Sequence, residues 1–286
     1  MLKNLFIREN QKGKEVKKMK KYLIIVFVLV AALTFSIKDA AAVTFAGGQI
    51  NDVFFNNAEN WVDVDRSQDI SRGDYFYGIL HVQNIDGRSA GTVWNEDNVT
   101  PGLDTFTGYF LTTVTGVKME GGVQPHITLG TYTGVADPYG ILSAGDLLND
   151  VVMKLWTDTS TKWTDSIAIL TDIANSTDGT AWATFTADNG YWYTHAPLIP
   201  PVGTGNTVGE SFLGLNIVDN YTGLTFDLVN DPNESEMDLD VDLTGQSEIA
   251  VGDNHWRFQS NDPVFAHVIP EPGTMLLLGS GLIGLG

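Results

Sequence analysis

The 286-residue chain is 43% hydrophobic and 18% charged, a balance that supports a packed core and excludes a wholly disordered polypeptide. Nine of its 16 Lys and Arg lie in the first 38 residues. Beyond Ala42, seven basic residues face 32 acids, and the resulting charge of −25 repels phosphate backbones and argues against nucleic-acid binding. With no cysteine, disulfides, thiolate catalysis and Cys-ligated zinc or iron–sulfur centres are excluded.

The N-terminal segment reads as an export address. Lys17, Lys18, Lys20 and Lys21 form a positive cluster, and Tyr22 to Phe35 form an uncharged apolar run of 14 residues. Ala40-Ala41-Ala42 then supplies the small residues, Ala40 and Ala42, that signal peptidase reads. The apolar run is short for a membrane span of ~20 residues, so cleavage is expected rather than permanent anchoring. Met19 is the better-placed start, because the polar stretch before it adds nothing a signal needs. Residues 1–42 are therefore assigned to an extension and signal peptide, and 43–267 to the body.

The body reads as all-β. Short alternating or apolar runs such as "DYFYGILHVQN", "TGYFLTTVTGVK", "VVMKLWTD", "TAWATFTA" and "MDLDVDL" recur between Gly, Asn, Asp and Pro. Their spacing, without long helical periods, predicts a β-sandwich or jelly roll. Ser143-Ala144-Gly145-Asp146 carries the elements of a capping box and predicts one short helix through Leu147 and Leu148. The strongest internal break is at 196–210, where Pro197, Pro200, Pro201, Gly203 and Gly205 interrupt any regular element.

Catalytic signatures are lacking along this stretch. His81, His126, His195, His255 and His267 form no H-E-x-x-H pair, and no nucleophile elbow occurs, so the protein is expected not to be an enzyme. Seven tryptophans suggest sugar stacking as well as core packing. Trp163 and Trp192 sit in the most loop-like contexts and are the candidates for carbohydrate binding. Asp231, Asn233, Ser235 and Asp242 place oxygen ligands at positions 1, 3, 5 and 12 of a calcium-loop register. Glu236 stands where that register wants glycine, and Pro232 opposes flanking helices. The cofactor expectation is accordingly none, with Ca2+ as the one ion the acids could take.

At the C-terminus Pro270, Glu271 and Pro272 precede an apolar run from Met275 to Gly286. Within that run Gly279 to Gly284 matches G-x-G-x-x-G, but without a preceding strand, a following helix or a downstream acid it reads as small residues of a short transmembrane helix. Residues 268–286 resemble the PEP-CTERM sorting signal of Gram-negative bacteria, with the Pro-Glu-Pro motif matched at Pro270, Glu271 and Pro272. The family pattern adds a terminal basic cluster, so a complete signal is expected to continue past Gly286.

The resemblance implies recognition by an exosortase, a membrane enzyme that processes such proteins on their way to the surface. Signal peptidase and exosortase are thus the implied processing partners, with the inner membrane engaged transiently through the tail. The same resemblance places these proteins with exopolysaccharide and biofilm. The expected function is a non-enzymatic structural or adhesive role at the cell surface or in the extracellular matrix. A carbohydrate-binding module is the alternative, and a secreted hydrolase the next.

Overall fold

The computed structural model describes residues 43–67, 69–96, 105–120, 124–158, 168–194, 206–227, 237–246, 256 and 258–269. All of them fall in one compact unit, Ala41–Gly286. Among the described residues there are eleven strands: β1 (Gln49–Val62), β2 (Tyr75–Gly87), β3 (Gly91–Asn95), β4 (Thr105–Glu120), β5 (Gln124–Thr131), β6 (Val151–Asp158), β7 (Thr180–Thr194), β8 (Asn206–Asn220), β9 (Thr225–Asp227), β10 (Met237–Gln246) and β11 (Phe258–Ile269). Two helices accompany them, α1 (Ala144–Leu148) and α2 (Ile169–Thr177).

The all-β expectation holds, and the strands are linked by pairing into a single sheet. They make one curled antiparallel sheet in the order β3-β2-β1-β11-β10-β8-β7-β5-β4-β6, with β9 beside β11. The further pairings β2–β4 and β6–β7 close the sequence β1-β2-β4-β6-β7-β8-β10-β11 into a ring. The physical reason lies in two long strands. Thr105–Phe110 of β4 pairs with β6 and its continuation from Thr112 pairs with β5. β7 repeats the device, using β6 for its first half and β5 for its second. Register shifts at Phe54/Phe55, Val114/Gly116, Thr184/Phe185 and Ala187/Gly190 supply the bends that curl a sheet without breaking it.

Curling gives the sheet an inside and an outside, and both are buried along β2, β4 and β6. This explains why "YFYGILHV" and "TGYFLTTV" read as nearly continuous apolar runs. Phe76, Leu80, Val82, Phe106, Phe110 and Val114 point into one cluster, and Tyr77, Ile79, Tyr109 and Leu111 into another. The inner cluster leaves a cavity of only about 20 Å³, walled by residues such as Val53, Leu80, Phe106, Leu155, Phe185, Leu215 and Val264 from seven strands. That is room for about one water, and the lining is apolar, so the space between these described residues is packed core. Gly78 is required there. A Cβ on it would stand 2.5 Å from the Ala58 carbonyl oxygen and 2.6 Å from the Phe110 ring.

The outer cluster is roofed by α2, through Ile169 and Ile173, and by the segment leading to Leu142. One buried carboxylate organises that segment. Asp137 accepts from the Tyr109 hydroxyl at 2.8 Å and from the backbone N–H groups of Tyr139, Ile141 and Leu142 at 2.8–2.9 Å. The expected capping box is present: Ser143 Oγ accepts from the Asp146 N–H, and the Asp146 carboxylate accepts from the Ser143 N–H. Trp256 donates its indole N–H to the buried Asp172 of α2 at 3.0 Å.

Among the described residues no helix is long and apolar enough to cross a membrane. The expected signal peptide (1–42) and the expected C-terminal transmembrane helix lie outside the described residues. On either side of the 196–210 break, β7 and β8 pair directly with each other from Ala183↔Asn220 to Thr194↔Gly209.

Candidate functional site

The link between β1 and β2 reads "DVDRSQDISRGD", Asp63 to Asp74. Ile70 anchors its middle in the inner core, and Trp61 and Asp74 hold its two ends together. The Trp61 indole N–H donates to Asp74 Oδ2 at 3.1 Å. Asp74 is completely buried and also accepts from the N–H groups of Val64 (2.9 Å) and Ser71 (2.8 Å). A carboxylate with that many donors is fixed in place.

The fixed carboxylate has company. Asp63, Asp65 and Asp74 each present an oxygen, and the three atoms lie within 4.8 Å of one another. Ser67 gathers the first two, its N–H donating to Asp63 Oδ1 at 3.0 Å and to Asp65 Oδ1 at 2.9 Å. Ser71 Oγ donates to Asp65 Oδ2 at 3.0 Å. Hydrogen bonds from the Ser67 side chain and backbone, and then from Ser71, hold the Asp65 carboxyl below the usual carboxylate range although it is exposed. Arg66 takes a left-handed conformation (φ 61°) to turn the chain between Asp65 and Ser67.

This donor set fits a hard cation. Oxygens about 2.4 Å from a common calcium are at most ~4.8 Å apart, and each carboxylate oxygen can accept a hydrogen bond and still offer a lone pair. Asp63, Asp65, Ser67, Asp69, Ser71 and Asp74 occupy positions 1, 3, 5, 7, 9 and 12 of a calcium-loop register. Gln68 stands at position 6 in place of glycine, and Asp74 at position 12 in place of glutamate. This loop is distinct from the 231–242 stretch nominated above. The signal was available as alternating Asp63, Asp65, Ser67 and Asp69 ahead of a core isoleucine.

Asp231, Asn233 and Ser235 lie outside the described residues, and Asp242 is on β10 opposite Glu210 of β8. Trp163 also lies outside them, whereas Trp192 is on β7, between Ile127 of β5 and Ser211 of β8 in the pairing. Trp61, Trp94, Trp156 and Trp182 are core residues. Phe106 and Trp182 meet edge-on at 4.8 Å. Ala40, Ala42, Pro270, Glu271 and Pro272 are outside the described residues. A second buried polar pair, His81 Nε2 with Glu96 Oε2 at 2.8 Å, closes the β2–β3 hairpin and was not anticipated.

Residues 268–286 match the family model of the PEP-CTERM protein-sorting motif. The chain therefore carries such a signal, which implies processing by an exosortase, export and sorting to the cell surface. No curated protein and no solved structure matches the chain.

Proposed function

We propose that this is a non-enzymatic structural or adhesive protein of the cell surface or extracellular matrix, associated with exopolysaccharide or biofilm and released through its C-terminal signal. The observation that carries the reading is the sorting motif at 268–286. Two features of the body support it. Its net charge of −25 suits a hydrated extracellular setting. The buried carboxylates Asp74, Asp137 and Asp172 are engaged in holding loops and a tryptophan in place. The test is mass spectrometry of the surface-released protein from a strain with its exosortase. Peptides should end before Met275, and recovery of 275–286 in that fraction would sink the reading.

A second reading is favoured by the convergence of Asp63, Asp65 and Asp74. In it the β1–β2 loop binds calcium, the oxygen set neutralises part of the acidic field, and the ion stabilises the barrel after export. Melting the mature body with millimolar calcium and then with chelator tests it, and superimposable curves would remove calcium from the account.

A further inference from the structure

The sorting signal and the barrel share residues. The family match begins at Val268, whereas β11 runs to Ile269, so Val268 and Ile269 belong to both. Val268 is 3% exposed and part of the inner core. On one edge it pairs with Gln49, and its carbonyl accepts from the Gly48 N–H at 2.7 Å. On the other edge it pairs with Phe226 of β9, whose ring meets Trp182 and Phe45. Ile269 pairs with Thr225 of β9 and lies beyond the last β1 partner. Pro270 follows at once, with no spacer between fold and motif.

An enzyme that binds an extended peptide uses the backbone edges and side-chain faces of that peptide. At Val268 both edges are paired and the side chain is in the core. The clasp that holds them is nonetheless short. β9 has three residues, and its pairing with β11 covers only His267–Ile269. Strand ends held by so few bonds open locally at a small fraction of the cost of global unfolding.

We infer that the exosortase reads the signal only when the end of β11, from His267 to Ile269, has parted from β9 and from Gly48–Gln49, so that closure of the barrel gates processing. This rests on the reading that residues 268–286 are processed by that enzyme. The rate of processing then follows the population of the frayed end. Most of the barrel stays folded while the tail is removed, and the end of β11 re-pairs afterwards.

The test uses the full-length precursor in a producing strain with its exosortase. Thr225 and Ile269 are register partners, and antiparallel partners stand about 4.5–5.5 Å apart at Cα, within disulfide range. The native chain has no cysteine to interfere. Thr225→Cys combined with Ile269→Cys should, once oxidised, slow conversion of precursor to mature form by about tenfold or more, with reductant restoring the rate. Each single substitution is the control. A second precursor carries about eight Gly/Ser residues and a repeated Val-Ile pair between Ile269 and Pro270, which places a whole signal outside the barrel. It should be processed faster than the native chain and be indifferent to the disulfide. A locked precursor cut at the unlocked rate, or a spacer that changes nothing, overturns the gate. An unlocked native precursor that stays uncut, or is cut equally without the exosortase, overturns the sorting reading and the gate with it.

Discussion

At the scale of single residues, two aspartates of one loop have separable roles. Asp74 is structural first, because its carboxylate takes the Trp61 indole and the Val64 and Ser71 N–H groups in a site closed to water. Asp74→Ala leaves those buried donors without an acceptor and should cost about 3 kcal/mol or more, read as a lower urea midpoint with unchanged slope. Asp65 is exposed, so Asp65→Asn should leave the melting temperature in chelator close to that of the parent. The same substitution should abolish any rise in melting temperature on adding calcium, the rise expected of a ligand that binds only the folded state. If Asp65→Asn melts like the parent with and without calcium, the loop is a hydrogen-bonded turn and nothing more.

Among the elements, the outer cluster makes a pH-dependent contribution whose sign is fixed by its tyrosines. Burial, followed by the neighbouring Asp137 charge, pushes the Tyr109 hydroxyl far above its ordinary value of 10.0. Tyr139 is pushed in the same direction by burial and by its hydrogen bond with Tyr77. A raised acid binds more protons folded than unfolded once the pH passes 10. Stability is therefore unaffected by Tyr109 below that pH and falls above it, by about 1.4 kcal/mol per pH unit. Equilibrium unfolding at successive pH values from 9 to 12 should show this decline, and Tyr109→Phe should make it shallower, with Tyr139 still contributing, while lowering stability at neutral pH through the lost Asp137 bond. An equal slope in the variant would show that Tyr109 does not carry the effect.

For the whole molecule, the decisive element is the last one made. β11 sits between β1 and β10, so the ring of pairings closes only when the chain has emerged through Ile269. Truncation after residue 257 removes β11 and exposes the edges of β1 and β10 along with the inner core around Val264, Ala266 and Val268. Unpaired edges over an apolar face associate with other chains. The truncated body should elute as aggregate in size-exclusion chromatography, and a soluble, cooperatively melting monomer would show that β11 is an accessory. The other boundary is equally tight. Val43, directly after the expected signal-peptidase site, is already buried in the same core.

The sequence by itself determined the sorting motif, the secondary-structure class and one helix cap. Pro270-Glu271-Pro272 is a contiguous motif, the capping box at Ser143 and Asp146 spans four residues, and strand alternation has a period of two, so each is written locally. It did not determine that the strands join one ring. That depends on β4 and β7 each serving two partners far away in sequence, and a run such as "YFYGILHV" is equally apolar whether its second face meets another sheet or the roof of α2. The tertiary structure alone decided which acids meet. Asp63 and Asp74 stand at opposite ends of a loop, and the Trp61–Asp74 bond and the burial of Ile70 bring them within reach of one ion. The tertiary structure likewise revealed that the signal begins inside β11. Local patterns specify strands and motifs, whereas closure, convergence and access are set by contacts between distant residues, whose net energy no short stretch contains.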